Sequence, residues 1–181
     1  MLKRWILALM LIIGTVAIDQ ATKQAIIERL DRYQSFTPIP AFEDVLRFTH
    51  SYNTGAAFGL LPQAGDLFLI MAIVIVIGMM IFYGRIADQA HITRMGIALI
   101  CGGAIGNAID RIQHGHVTDF IQYTIPAVNI SNISNLADHF IVIGVILVIV
   151  ESWRLDRHIK QDNPEQPTIA DVEQMPSDTG I

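Results

Sequence analysis

The chain has 181 residues, of which 52% are hydrophobic and only 16% are charged, and its mean hydropathy is +0.45. Soluble domains carry about a quarter charged residues, so this deficit predicts apolar segments that alternate with polar ones. The single cysteine excludes a disulfide framework and a cysteine-based zinc cluster. Residues 162–181 hold five of the 17 acidic residues and none of the 12 basic ones, so the rest of the chain is neutral and no nucleic-acid partner is expected.

Four apolar segments follow one another along the chain: Trp5 to about Ile27, Leu67 to Tyr83, Ile92 to Ile109, and Ala137 to about Trp153. A helix needs about 17–25 residues to cross a membrane, and each segment reaches this length alone or with its polar flanks. Backbone groups in lipid must be hydrogen-bonded within the segment, so we predict four transmembrane helices. The first segment, after Lys3 and Arg4, also has the form of a cleaved signal peptide, but no convincing cleavage site precedes Asp19.

The distribution of Lys and Arg predicts the orientation of the spans. In a four-span chain, one membrane side carries Lys3, Arg4, Arg85, Arg94, Arg154, Arg157 and Lys160. Short cytoplasmic segments are enriched in such residues, so both termini are predicted to be cytoplasmic. The longer loops, residues 28–66 and 110–136, then face outward. Residues 161–181 lack the apolar content to fold, and we predict a disordered acidic tail after a transmembrane domain of residues 1–160.

The first outward loop contains a predicted β-strand over Val45–Asn53. Apolar or aromatic side chains alternate there with polar ones, with Arg47, Thr49 and Ser51 on one face and Leu46, Phe48, His50 and Tyr52 on the other. This period of two is typical of a strand, and Thr54 and Gly55 supply a turn after it. The sequence therefore predicts a mainly α membrane protein with four transmembrane helices and a small extracytoplasmic β-sheet.

Ionisable residues lie at the outer ends of two spans. Asp19 and Lys23 share one face of the first helix, and Asn107 and Arg111 share one face of the third, beside Asp110. Ionisable groups at membrane depth cost about 2.5–3.5 kcal/mol each to insert, so they mark either a function or a buried pair. Asp19 and Lys23 therefore form either a self-neutralising pair at the interface or the support of a site.

Small residues in the third span have a second explanation. Gly102 and Gly106 form a GxxxG pattern, which allows two helices to approach closely. The two explanations are compatible: the glycines can pack against a neighbouring helix while Asn107, on another face of the same helix, lines a polar cavity. Cys101, among apolar neighbours, is expected to pack as a small hydrophobic residue.

Two carboxylates are predicted at the same membrane face. Asp119 (in HVTDF) follows the third span, and Asp138 (in NLADHF) begins the fourth. Paired carboxylates can share one proton, and one then acts as a base toward water while the other acts as an acid. The spacing alone leaves open an acid–base dyad, a proton or cation pathway as in a transporter, and purely structural hydrogen bonding.

The histidines suggest a metal site as a competing interpretation. His114 and His116 lie close in sequence to Asp110 and Asp119, and these four side chains are possible metal ligands. The chain has no HExxH motif, however, and an HxH pattern in a loop is a weak signal. We therefore predict neither a metal nor a cofactor.

Five ordered motifs resemble those of the lipoprotein signal peptidases, the bacterial signal peptidase II family: IDQATK (18–23), YNTGAAFG (52–59), GGAIGNAIDRI (102–112), VTDF (117–120) and SNLADHFIVIG (134–144). The resemblance covers about residues 5–153. It implies an intramembrane aspartyl endopeptidase of the bacterial inner membrane, with four transmembrane helices and a small extracytoplasmic β-cradle. Such an enzyme cuts prolipoproteins on the amino side of their lipid-modified cysteine, among membrane lipids, and is inhibited by globomycin-type cyclic peptides.

The resemblance also implies roles for individual residues. The catalytic pair falls on Asp119 and Asp138. Residues that bind or brace the substrate are Asn53, Asn107, Arg111, Asn135 and Gly106, and supporting residues are Asp19, Lys23 and Asp110. One departure is Ser134, which stands where an aromatic residue commonly precedes the Asn-x-Ala-Asp motif. This change is expected to alter packing or substrate contacts without removing a catalytic group.

Overall fold

The computed structural model describes residues 2–55, 64–87, 89–128 and 130–162. These contain four long helices: α1 (Leu2–Arg29), α2 (Ala64–Tyr83), α3 (His91–His114) and α4 (Leu136–Asp162). Each includes a stretch long and apolar enough to cross a membrane, so the four predicted spans are confirmed. The tail expected at 161–181 begins inside the last turn of α4, and residues 163–181 lie outside the described residues.

A small antiparallel sheet lies in the connections between the helices. Its four strands, in spatial and chain order, are β1 (Ser35–Phe36), β2 (Leu46–Asn53), β3 (Val117–Ile125) and β4 (Ile130–Ser134). In the ladders, Ser51 pairs with Asp119, and Ile121 pairs with Ser134. Because β3 follows α3 and β4 precedes α4, the sheet fixes the ends of both helices, and the predicted fold class is confirmed.

The predicted strand over 45–53 is β2, but its alternation is interrupted. The register shifts between Phe48 and Ser51, and Thr49 and His50 are both buried. Thr49 Oγ1 donates to Gln122 Oε1 at 2.6 Å, so its hydroxyl is satisfied inside the sheet. A β-bulge breaks the period of two in this way. The predicted period of two is therefore interrupted between Phe48 and Ser51.

The third helix extends beyond its apolar segment. The outward loop predicted to begin at residue 110 instead begins after His114, where Gly115 adopts a left-handed conformation with φ of 72°. The Gly115 N–H donates to the Arg111 carbonyl at 3.0 Å and ends the helix. Asp110 is buried and hydrogen-bonded rather than solvated, so the helix continues where the apolar pattern stops.

Helix α3 packs against the other three helices. A Cβ atom on Gly96 would lie 2.6 Å from the Gly144 carbonyl oxygen, so α3 and α4 meet backbone to backbone. A Cβ on Gly102 would lie 2.7 Å from Cβ of Thr15, so α1 also packs closely against α3. The packing expected of the GxxxG pattern is therefore present, and Cys101 is part of the buried apolar core. Helix α3 is the central support of the site.

Candidate active site

Asp119 lies on β3 with a relative exposure of only 2%. Its Oδ2 accepts a hydrogen bond from Asn53 Nδ2 at 2.8 Å, and its Oδ1 accepts one from Asn135 Nδ2 at 2.6 Å. Burial, with the negative charge of Asp138, raises the pKa of Asp119 to about 6, although the hydrogen bonds from Asn53 and Asn135 and the charge of Lys23 act in the opposite direction. The environment therefore favours retention of a proton on one member of an acidic pair.

Asp138 lies in the first turn of α4. Its Oδ1 accepts a hydrogen bond from Asn107 Nδ2 at 2.7 Å, and its backbone N–H donates to Asn135 Oδ1 at 3.0 Å. Asn135 thus caps the start of α4 as helix N-cap residues do. Because Nδ2 of the same Asn135 side chain donates to Asp119, Asn135 connects the two acids. The structure brings together the carboxylates that the sequence placed at one membrane face.

A buried charge cluster lies beneath Asp138. Lys23 Nζ contacts Asp19 Oδ2 at 2.9 Å, Asp110 Oδ2 at 3.1 Å and Asn107 Oδ1 at 3.0 Å. These contacts match the three N–H donors of an ammonium group. Lys23 and both carboxylates are at most 2% exposed, so the ion pairs are buried within the protein. Asn107 accepts from the cluster and donates to Asp138, and in this way it links the two.

Arg111 places a positive charge beside the two acids. It interacts electrostatically with Asp138 and Asp119, and its Nη1 donates to the Asn107 carbonyl at 3.2 Å. The guanidinium also lies 5.5 Å from the centre of the Phe68 ring on α2. A cation in this position favours one ionised carboxylate.

The histidines form a separate aromatic group. The His116 ring is 3.9 Å from that of Tyr52 and 5.7 Å from that of His114, measured between centroids. Asp110, one of the two carboxylates close to them in sequence, accepts hydrogen bonds from the Thr118 N–H and Gln20 Nε2. Within the described ranges, no group of three or more His, Cys, Asp or Glu residues has the geometry to hold a metal ion.

Sequence comparison places the chain in a known family. The family model described as signal peptidase (SPase) II matches residues 11–154, which include both acids and all four helices in whole or in part. The chain belongs to the signal peptidase II family. Because this is a family of proteases, the comparison favours a protease over the transporter that the spacing of the acids left open.

Curated relatives and solved structures agree with this family. The chain is 35% identical over 142 residues to the lipoprotein signal peptidase of Halothermothrix orenii, covering 78% of this chain and 92% of that protein. It is 40% identical over 142 residues to that of Xylella fastidiosa strain M12, with coverage of 76% and 83%. A bacterial membrane enzyme structure at 2.3 Å superposes with a TM-score of 0.70 and 32% identity, covering 89% and 92% of the two chains. Another bacterial membrane enzyme structure, at 1.9 Å, superposes with a TM-score of 0.71 and 35% identity, covering 79% of this chain and 90% of the other.

Two polar groups that support the site of this signal peptidase family member were not predicted from the sequence. Gln20 Nε2 donates to Asp110 Oδ1 at 2.9 Å and to the Gly106 carbonyl at 3.1 Å. The Ala137 backbone N–H donates to Asp19 Oδ1 at 2.9 Å. The position of Gln20 directly after Asp19 on the helix could have indicated that it contributes to the same polar cluster. A backbone donor 118 residues away from its acceptor has no signature in a single sequence.

Gly106 lies at the contact between α3 and α1, and the substrate-binding role that the resemblance implies for it stays a prediction. A Cβ at this position would lie 2.5 Å from Asp19 Oδ2. We predict that Gly106→Ala displaces this carboxylate and lowers both the unfolding temperature and the cleavage rate. Overpacking of this kind costs about 1–3 kcal/mol.

Gly14→Ala is the matched control, because a Cβ at Gly14 on α1 meets nothing within 4 Å. We expect this variant to be as stable as the parent or more so, since Ala is favoured over Gly inside a helix by about 1 kcal/mol. Thermal unfolding in detergent measures both variants. Equal stability of the Gly106→Ala and Gly14→Ala variants would contradict the close contact with Asp19.

Proposed function

We propose that this chain is an intramembrane aspartyl endopeptidase that cleaves the signal peptide from diacylglyceryl-modified prolipoproteins, on the amino side of the lipidated cysteine. The observation that carries the proposal is the pairing of Asp119 and Asp138 around the Asn135 amide. Two interacting carboxylates that differ in burial and in partners are the arrangement that allows one acid and one base to coexist. Membership of a lipoprotein signal peptidase family supports the substrate class.

The proposed reaction uses one water molecule and one shared proton. Asp138, as the carboxylate, takes a proton from water while the water oxygen bonds to the scissile carbonyl carbon. Asp119, as the protonated acid, gives its proton to the carbonyl oxygen, and a tetrahedral intermediate forms. The intermediate collapses when the C–N bond breaks: the cysteine nitrogen receives the proton held by Asp138, and one hydroxyl of the intermediate returns its proton to Asp119. We assign the acid to Asp119 because its burial raises its pKa.

Neighbouring residues keep the two acids in these states. Asn107 donates to Asp138 and orients it, while Asn53 and Asn135 orient Asp119. Fixed donors of this kind need no reorganisation during the reaction, and a low dielectric strengthens their effect. Arg111 is proposed to contact substrate oxygens and to oppose protonation of both acids.

The proposed placement is the bacterial inner membrane, with both termini in the cytoplasm and the acid pair near the outer face. The substrate is held in the bilayer by its signal helix and its lipid, so a site at this depth meets the scissile bond. Residues 1–160 form the proposed peptidase domain and 161–181 a cytoplasmic tail. A globomycin-type cyclic peptide is proposed to occupy the site in place of substrate, among membrane lipids, and no cofactor is required.

Incubation of the purified chain with a diacylglyceryl-modified prolipoprotein tests the function. We expect a mass spectrum with two products, one of which begins with the lipidated cysteine. The unmodified precursor serves as the control and should be cut much more slowly. Cleavage at another bond, or equal cleavage of the unmodified precursor, would refute the proposed specificity.

We predict a characteristic pH dependence of the reaction. If Asp119 is the acid, kcat/KM falls as the pH rises through the pKa of Asp119, about 6, because the ionised form has no proton to donate. Asn53 donates to the ionised form and lowers this pKa, so Asn53→Ala should move the alkaline limb about one unit higher. The change is read from pH–rate profiles of both proteins.

The control for this prediction is Asn132→Ala. Asn132 lies exposed on β4 and donates to the Tyr123 hydroxyl, away from both acids. Its profile should match that of the parent. A limb that moves to lower pH in the Asn53→Ala variant would argue against Asp119 as the acid.

A further inference from the structure

A groove of about 340 Å³ opens between α1 and α3 at the end of the bundle opposite to the acids. Lys3 at its mouth and Lys23 in the charge cluster are 20 residues apart on one helix, which is about 30 Å. Tyr83, at the end of α2, closes one side. The mouth is lined by Lys3, Arg4, His91 and Arg94, and the deeper part by Leu7, Ala8, Leu11, Met95 and Ala98.

The groove changes from cationic to apolar along the helix axis. Both α1 and α3 begin at this end, so on each helix the basic residues come first and the apolar residues follow one to two turns later. From Lys3 to Leu11 the change takes about 12 Å. A phospholipid changes from charged headgroup to hydrocarbon in the same direction. None of the described residues that line the groove is acidic, so its charge suits an anion.

The walls of the groove are held in place by hydrogen bonds. The Tyr83 hydroxyl donates to the Arg4 carbonyl at 3.0 Å, which ties α2 to α1. Arg94 is 6% exposed, and its Nη2 donates to the Ile86 carbonyl at 2.6 Å. The Trp5 ring lies 4.8 Å from that of Tyr83, between centroids. The groove is therefore a fixed feature with an aromatic residue beside it.

We propose that this groove binds one anionic phospholipid of the surrounding bilayer. The phosphate lies among Lys3, Arg4 and His91, and the upper part of one acyl chain lies along Leu7 and Met95. Basic pockets between transmembrane helices are a recurring site for anionic headgroups. The volume of about 340 Å³ suits a phosphate and the start of one chain, and the rest of the lipid stays in the bilayer. The site is separate from the proposed peptidase reaction.

Quenching of Trp5 fluorescence by brominated lipid tests the proposal. The chain has two tryptophans, so Trp153→Phe leaves Trp5 as the reporter. The full-length protein is placed in phosphatidylcholine vesicles with a small fraction of brominated phosphatidylglycerol, or with the same fraction of brominated phosphatidylcholine. We expect severalfold stronger quenching by the anionic lipid.

Charge variants of the Trp153→Phe protein show which basic residues cause the preference for the anionic lipid. Each basic residue near a membrane surface is worth about fivefold in affinity for anionic lipid, so Lys3→Gln with Arg4→Gln should remove most of the preference, and Lys3→Gln alone part of it. Lys3→Arg with Arg4→Lys should keep it. The matched control is Arg85→Gln with Arg154→Gln, which removes two charges predicted at the same membrane face but outside the groove, and it should also keep the preference.

Three results would overturn the proposal. Equal quenching by the two brominated lipids would show that the groove does not select an anionic lipid. A control variant that loses as much preference as the groove variant would point to diffuse surface charge. Full retention of the preference in the variant with Lys3→Gln and Arg4→Gln would show that the basic residues of the groove do not bind the anionic lipid.

Discussion

Replacing Asp138 with Asn should reduce prolipoprotein cleavage by about 10³-fold or more while the protein stays folded. The loss is expected because an amide cannot accept the proton of water, and general acid–base catalysis contributes about 10²–10⁴-fold. The fold should survive because the new amide oxygen can still accept the hydrogen bond from Asn107 Nδ2. Cleavage is measured by gel mobility of a lipid-modified substrate, and folding by thermal unfolding.

Replacing Asp119 with Asn should abolish cleavage as well, with a larger effect on stability. Both carboxylate oxygens of Asp119 accept N–H groups, from Asn53 and Asn135, so one of these donors would face the new NH₂ group. Asp44→Asn, at an exposed position before β2, is the control and should cleave normally. Turnover by a folded Asp138→Asn variant near the parent rate would exclude the dyad.

The second large effect is expected at Lys23. Lys23→Met leaves the buried carboxylates of Asp19 and Asp110 without their cation. Removal of one partner from a buried ion pair costs about 3–5 kcal/mol, so we expect a marked loss of unfolding free energy in denaturant titrations. Cleavage should fall too, because Asn107 loses the donor that fixes its orientation toward Asp138.

Lys3→Met on the same helix is the control for this experiment. Lys3 is exposed near the start of α1, and surface substitutions usually change stability by less than about 0.5 kcal/mol. Both variants are compared in the same lipid-free detergent. If the Lys23→Met and Lys3→Met variants unfold at the same denaturant concentration, the buried cluster does not stabilise the fold.

Local sequence patterns were sufficient for the spans and for part of the site. The length of the apolar segments predicted four helices, and the four-residue spacing of Asp19 and Lys23 predicted their contact. The positions of Asp119 and Asp138 at the ends of adjacent spans predicted one shared membrane face. The first two inferences use residues that are close in sequence. The third follows because the loop between two consecutive spans lies on one side of the membrane.

The remaining features depend on contacts between distant segments. Strands β3 and β4 were not predicted, because they are stabilised by pairing with each other and with β2, which lies far away in sequence. The extension of α3 past Asp110 depends on Lys23 and on the Thr118 N–H, which satisfy that carboxylate inside the protein. Partners that are so distant in sequence cannot be predicted from a local sequence pattern.

The bond between the Ala137 N–H and Asp19 has a consequence for biogenesis. It joins the first span to the start of the last, and Asn135, which connects the proposed acid pair, lies two residues before it. During synthesis the earlier three helices can insert while this junction is still missing. The nascent chain therefore completes the proposed acid pair only once its final helix has been synthesised, because that helix carries Asp138.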